Sequence, residues 1–104
     1  MARRKVTFRP LAEADLFDLY RYIAQEAGHH IAGGYIDRLE TACMALETFP
    51  HRGHRRDDLR PGLRIMGFER RASIAFQVLP AEVVIVRIFF GGRDYESIFS
   101  RSDG

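Results

Sequence analysis

The longest apolar stretch of the chain covers residues 83–90 and ends at two glycines. Because side chains alternate between the two faces of a strand, this stretch predicts a central strand that is apolar on both sides. The alternation divides it into one face with Val84, Val86, Ile88 and Phe90 and an opposite face with Val83, Ile85, Arg87 and Phe89. Arg93, Asp94 and Tyr95 follow the glycines directly, so the strand end is either an ordinary surface turn or a binding site.

Two helices are predicted from apolar residues that recur every three or four positions. The first begins at Pro10 and ends at Gly28, with the stripe Ala12, Leu16, Leu19, Ile23 and Ala27. The second ends before Pro50, with the stripe Ala32, Tyr35, Leu39, Ala42, Leu46 and Phe49. Because the connection around Gly28 is short, we expect the two helices to form an antiparallel hairpin.

The remaining strands complete an α+β fold. Val6 and Phe8 predict a short N-terminal strand, and residues 63–68, 72–79 and 83–90 predict an antiparallel meander. The helical hairpin should cover the face that carries Ile74, Phe76 and Val78, and the opposite face should be wetter. Residues 51–62 are too polar and too rich in Gly and Pro for regular structure, so we expect a basic surface loop. The predicted sheet is mainly antiparallel, with about four strands.

Length and composition restrict the class of protein. A chain of 104 residues with 46% hydrophobic residues can bury one modest core, so we expect a single domain over residues 1–104. The sequence lacks both an apolar run of roughly 18 residues and an apolar signal core, which predicts a cytoplasmic protein. Cys43 is the only cysteine and is interpreted as a core residue. The histidine pairs lack supporting ligands, so we expect neither a metal nor a cofactor.

Arginine dominates the charge of the middle of the chain. The net charge is only +2, which does not predict strong direct binding to nucleic acid, but residues 50–75 carry seven arginines against three acids. Guanidinium groups suit bidentate binding of carboxylate or phosphate. Three uses remain open: contacts to RNA phosphates that stabilise a phosphoryl transition state, binding of an acidic protein segment, and ordinary surface ion pairs.

The order of elements and a series of short motifs resemble the RelE/ParE superfamily of bacterial toxins, which includes plasmid stabilisation proteins, and within it the ParE branch. The motifs span almost the whole chain, and their joint order is more specific than any one of them. They are Phe8-Arg9-Pro10, Ala14-Asp15-Leu16, Tyr22-Ile23-Ala24, Tyr35-Ile36 with Leu39-Glu40, Leu46 with Phe49-Pro50, Arg52-Gly53, Arg60-Pro61-Gly62-Leu63-Arg64, Ile74-Ala75-Phe76 and Gly92-Arg93-Asp94-Tyr95.

The resemblance implies a toxin of a type II toxin–antitoxin module. It would be neutralised by a ParD-like antitoxin whose acidic, flexible C-terminal segment folds on binding. ParE toxins inhibit DNA gyrase by binding, without a catalytic site, whereas RelE toxins cut messenger RNA on the ribosome. A gapless alignment places the catalytic positions of RelE relatives at Arg64, Met66, Ser73, Arg93 and Phe99, so three of the five lack the required group. We therefore expect a non-catalytic gyrase inhibitor.

The candidate contact residues follow from this interpretation. For target contact we predict Arg87, Arg93, Tyr95, Ile98 and Phe99. For antitoxin contact we predict Arg64, Arg70 and Arg71, and we assign no catalytic residue. Two alternatives stay open: a RelE-like messenger RNA endonuclease using Arg64, Arg93 and Tyr95, and an interaction module that has lost its toxicity.

Overall fold

A helical hairpin lies across one face of a five-stranded sheet in the computed structural model, which describes residues 4–91, 96, 98 and 99. The sheet order is β1-β5-β4-β3-β2; β1 runs parallel to β5, and the other neighbours are antiparallel. The elements are β1 (Lys5–Phe8), α1 (Pro10–Ala27), α2 (His29–Met44), a 3-10 turn (Ala45–Glu47), β2 (His54–Arg55), β3 (Leu63–Phe68), β4 (Ala72–Val78) and β5 (Glu82–Phe90).

The α+β class, the helical hairpin and the mainly antiparallel sheet are confirmed, with one strand more than the expected four. The additional strand is β2, inside the loop that we predicted to be irregular. It pairs with Arg64 and Ile65 of β3, and Arg56 N then donates to Leu63 O at 2.8 Å. Gly53 permits this approach, because its φ is +73° and a side chain there would contact the carbonyl oxygen of Ile65.

The helices meet at Gly28, whose φ of 95° is accessible to glycine and which separates α1 from α2 as a single residue. Its N–H donates to Ala24 O at 2.9 Å and its carbonyl accepts from Ala32 N at 3.1 Å. The prediction that the second stripe continues to Phe49 is wrong. α2 stops at Met44, the 3-10 turn redirects the chain, and Phe49 is 61% exposed.

The two faces of the sheet carry separate apolar clusters. The helix-side cluster contains Ile74, Phe76, Val83, Ile85 and Ile88 together with Ala12, Leu19, Ile23, Ala32, Tyr35, Leu39, Cys43 and Leu46 of the helical segment. The opposite face is also apolar, which corrects our expectation of a wetter surface. Its cluster consists of Leu63, Ile65, Ala75, Val84, Val86, Phe89 and Phe99.

A β-bulge in β5 changes which side chains share a face. Phe76 pairs with Ile85 and Ala75 pairs with Arg87, so Val86 is an extra residue between the two pairs. Strict alternation would have placed Val86 and Ile88 on the same face of the sheet. Instead, Val86 belongs to the opposite-face cluster and Ile88 to the helix-side cluster. The bulge occurs where β1 has ended and α1 begins to cover the edge of β5.

Candidate functional site

A cleft of about 240 Å³ opens beside the bulge, between the start of α1, strand β5 and the tail residues Ile98 and Phe99. Val86, Ile98 and Phe99 give it apolar walls. Arg9, Arg60 and Arg87, which come from three distant parts of the sequence, bring guanidinium groups to the same space. We call this site the arginine cleft; Pro10 and Leu11 complete its lining, and Leu11 is 60% exposed.

Asp15 holds Arg87 in place. Strand β1 pairs with β5 only as far as Ile85, after which Arg9 N donates to Ile85 O at 3.0 Å. Asp15, one and a half turns into α1, then accepts from Arg87 Nε at 2.8 Å, from Arg87 Nη2 at 3.1 Å and from the Ile88 backbone N at 2.8 Å. The hydrogen bonds that Arg87 donates to Asp15 raise the pKa of Arg87 above its ordinary value. The carboxylate therefore takes the place of a strand partner and fixes a charged guanidinium at the cleft.

Aromatic contacts hold the other side of the cleft. The Phe99 ring is 4% exposed and packs edge-on against Phe89, with centroids 5.9 Å apart. The Arg60 guanidinium carbon lies 5.1 Å from the Phe99 ring centroid, within cation–π distance. Arg56 Nη2 donates to Glu96 Oε2 at 2.7 Å. These contacts attach the described tail residues to the sheet face opposite the helices.

The arrangement favours binding over proton transfer. Among the described residues that line the cleft, arginine is the only titratable type, and an arginine side chain stays protonated in proteins. A fixed guanidinium beside an apolar wall suits a partner surface that combines a carboxylate with an apolar or aromatic side chain. In the described part of the chain, no group of three or more His, Cys, Asp or Glu side chains is placed to hold a metal ion. Within the same residues, no helix is long and apolar enough to cross a membrane.

The cleft brings together three of the residues predicted for target contact: Arg87, Ile98 and Phe99. Arg93 and Tyr95 lie outside the described residues. Phe99 is almost fully buried, so its ring anchors the tail and forms part of the cleft wall. Sequence reasoning missed Arg9, Arg60 and the role of Asp15. A signal for Asp15 existed, because a single arginine within an apolar strand requires a counter-ion.

The residues predicted for antitoxin contact lie at opposite ends of β3. Arg64 lines a groove of about 540 Å³ with Arg4, His51 and Arg55, and its Nε donates to Arg52 O at 2.8 Å. Arg70 and Arg71 belong to the turn between β3 and β4, and Arg71 lines a groove next to the end of the helical hairpin where Gly28 joins the two helices. The three arginines therefore lie on two separate surfaces.

The same fold occurs in solved structures of two toxin–antitoxin systems. A structure described as the chromosomal ParDE toxin–antitoxin system from P. aeruginosa matches with a TM-score of 0.74 at 24% identity, covering 86% of this chain and 97% of that chain. The toxin–antitoxin complex RelBE2 from Mycobacterium tuberculosis matches with a TM-score of 0.59 at 20% identity, covering 89% of this chain and 97% of that chain.

Sequence similarity then identifies the protein family of the chain. The family model described as the ParE toxin of the type II toxin–antitoxin system parDE matches residues 6–95. Toxin ParE3 of Caulobacter vibrioides is 32% identical over 88 residues, which cover 85% of this chain and 86% of that protein. The chain belongs to the ParE toxin family, as the sequence motifs had indicated.

Proposed function

We propose that this ParE-family toxin inhibits DNA gyrase by binding and that a ParD-like antitoxin neutralises it. The observation that carries this proposal is the family relationship, with 32% identity to Toxin ParE3 over most of both chains. Gyrase inhibition is the activity that the resemblance to ParE toxins implies. The structure of a ParDE system with the same fold supports an antitoxin as the second partner.

The arginine cleft is the surface that we assign to the target. It combines fixed positive charge with exposed apolar area at Leu11, which is the composition that specific protein interfaces favour at their centres. Arg87 is oriented by Asp15 before any partner binds, so little side-chain entropy is lost on association. Arg93 and Tyr95 remain candidates for the same surface on the basis of sequence.

The geometry disfavours messenger RNA cleavage by the RelE route. Directly paired residues of antiparallel strands share a face, and Met66 pairs with Ile74 of the helix-side cluster, whereas Ser73 pairs with Phe89 of the opposite cluster. Phe99 packs on the same side as Phe89. Of the positions that a gapless alignment assigns to catalysis, Met66 therefore lies on the helix side, whereas Ser73 and Phe99 lie on the opposite side, and this separation supports binding over RNA cleavage.

The test is gyrase supercoiling by the purified toxin, with messenger RNA cleavage on ribosomes measured in parallel. We expect inhibition of supercoiling without RNA cleavage, and relief of inhibition when the protein from the neighbouring reading frame is added. The double variant Arg9→Ala, Arg60→Ala should reach the same inhibition only at a concentration at least roughly tenfold higher than that of the unmodified toxin. The reason is that a hydrogen bond to a charged group contributes about 1.5–3 kcal/mol. Arg21→Ala is the matched control, since Arg21 is exposed on α1 and stacks over Phe17.

Two results would contradict the proposal. RNA cleavage without an effect on gyrase would favour the endonuclease alternative. Equal inhibition by the double variant and by Arg21→Ala would remove the arginine cleft from target recognition, while leaving gyrase as the target.

A further inference from the structure

The groove of about 540 Å³ that Arg64 lines is bordered by three arginines. It lies at the end of the sheet where β3 begins and β4 ends. We call it the Arg64 groove. None of its lining residues belongs to α1, to α2 or to the arginine cleft. They are Arg4, His51, Arg55, Asp57, Gly62, Leu63, Arg64, Val78, Leu79 and Pro80.

Two of these arginines repel each other in the folded protein. Arg55 of β2 and Arg64 of β3 are directly paired across the two strands, so their side chains share a face of the sheet with Cβ atoms about 5 Å apart. Like charges in directly opposite positions are destabilising. Asp57 offsets one of them, because its carboxylate accepts from Arg55 Nε at 3.0 Å. An anion that neutralises Arg64 would therefore relieve the repulsion that remains.

Arg64 and Arg4 are each anchored through one nitrogen and keep their other donors available. Arg64 Nε donates to the carbonyl oxygen of Arg52 at 2.8 Å. Arg4 Nε donates to the carbonyl oxygen of Leu79 at 2.9 Å. Neither guanidinium forms an ion pair with a carboxylate in the part of the chain that the structure describes. Both therefore hold their Nη donors ready for an anion from outside, and guanidinium groups bind phosphate with paired donors of this kind.

The arrangement suits a polyanion better than an acidic peptide. The three guanidinium groups come from three separate segments, and Asp57 is the only acid among the described residues that line the groove. Each strand of DNA carries one charge per about 3.4 Å of helix axis, so successive phosphates can meet several of these arginines in turn. An extended peptide directs alternate side chains to opposite sides, so it presents only every second carboxylate to the groove.

The other lining residues favour a duplex over an unpaired strand. Proteins hold single strands by stacking successive bases on aromatic side chains. Among the described residues that line the groove, none is Phe, Tyr or Trp, and His51 supplies the only aromatic ring. Val78, Leu79 and Pro80 offer aliphatic contact alone. The groove is therefore equipped for phosphates and not for bases, and contacts to phosphates carry no direct sequence information.

We propose that the Arg64 groove binds the phosphate backbone of duplex DNA, with Arg4, Arg55 and Arg64 as the contacts. This goes beyond the proposed inhibition of gyrase, because it gives the toxin a second attachment, to DNA, on a surface separate from the arginine cleft. The net charge of +2 keeps the contact weak for the toxin alone, so it is strongest at low salt. The proposal gives Arg64 a partner other than the antitoxin that the sequence suggested.

The test is titration of a short, fluorescently labelled DNA duplex with the full-length toxin, followed by anisotropy over a series of salt concentrations. If each of the three arginines neutralises one phosphate, log affinity should fall with log salt concentration with a slope of about −2.7, since each contact contributes about −0.9. The double variant Arg4→Gln, Arg64→Gln should lose about 1.8 of that slope and bind roughly ten- to hundred-fold more weakly at about 0.1 M salt.

Matched controls separate this groove from general effects of charge and folding. Arg21→Gln removes an equal charge from α1, outside the groove, and should bind DNA nearly as the unmodified toxin does. Arg64→Lys keeps the charge and should keep the salt slope. Circular dichroism checks the fold of each variant. If the double variant does not fold, Arg4→Gln alone decides, with an expected loss of about 0.9 in slope.

Three results would overturn the inference. The first is that the unmodified toxin does not bind the duplex at low salt. The second is that the double variant, or Arg4→Gln where it replaces the double variant, keeps the slope of Arg21→Gln. The third is that a glutamate oligomer or a single-stranded RNA binds more tightly than the duplex through the same arginines. Because gyrase is absent from this assay, each of these results leaves the proposed gyrase inhibition standing.

Discussion

Asp15→Ala should be one of the most damaging single substitutions outside the hydrophobic core. The Asp15 side chain is 10% exposed and its partner Arg87 is 18% exposed. Through Arg87 and the Ile88 N–H, the carboxylate connects α1 to β5 where strand pairing with β1 has stopped. Alanine would leave a largely buried guanidinium without its counter-ion and a strand-edge N–H without an acceptor.

The magnitude follows from these two losses. Removing one partner of a buried ion pair costs about 3–5 kcal/mol, and an unsatisfied buried N–H about 1–3 kcal/mol. The losses overlap, because side chain and backbone can relax together toward water, so we expect a net decrease of about 4 kcal/mol in the free energy of unfolding. The total free energy of unfolding of a domain of this size is about 5–15 kcal/mol, and a loss of 1 kcal/mol lowers the Tm by about 4 °C or more. The midpoint should therefore fall by roughly 15 °C or more.

Urea unfolding followed by circular dichroism measures the effect. Asp15→Asn should cost less than Asp15→Ala, because the amide oxygen can still accept from the Ile88 N–H. Asp18→Ala is the matched control, since Asp18 carries the same charge on an exposed position of α1; its effect should stay within about 0.5 kcal/mol. If the free energies of unfolding of Asp15→Ala and Asp18→Ala differ by less than about 1 kcal/mol, the role of Asp15 in joining α1 to β5 is refuted.

Three further outcomes are expected. Gly53→Ala should destabilise more than Gly62→Ala in urea unfolding: both glycines have positive φ, but only a side chain at 53 would contact backbone, and equal losses would contradict the close approach to Ile65. The hydrogen bond from Arg38 lowers the pKa of Glu69, so its stabilisation is present above the ordinary carboxyl pKa and lost as pH falls through the lowered value. The Tm advantage over Glu69→Gln should accordingly be present at pH 7 and decrease as the pH falls below about 4, the ordinary range of a glutamate carboxyl. Burial raises the pKa of Cys43 to about 12, so the native protein should resist thiol alkylation at pH 8 and react only once unfolded; rapid native reaction would refute its burial.

Long periodic patterns predicted the fold well. The stripes of α1 and the first part of α2 repeat over several turns, and β3, β4 and β5 were found within one residue of their observed ends. Strand β2 could not be predicted, because it has only two residues and forms through the edge of β3 and the close approach at Gly53. Its existence depends on tertiary contact and leaves no periodic signal.

The bulge in β5 shows why an apolar run predicts a strand better than its register. Both faces of residues 83–90 are apolar, so a shift at Val86 leaves each face buried and changes almost nothing in the pattern. Arg87 is the exception, since the shift determines which groups surround its charge. The missing information was the position of Asp15, 72 residues earlier in the chain.

The candidate site was predictable only in part, for a related reason. Arg87, Ile98 and Phe99 follow one another around the end of β5, and their proximity could be expected from local sequence. Arg9 and Arg60 reach the same cleft from the start of α1 and from the loop before β3, which only the packed fold brings together.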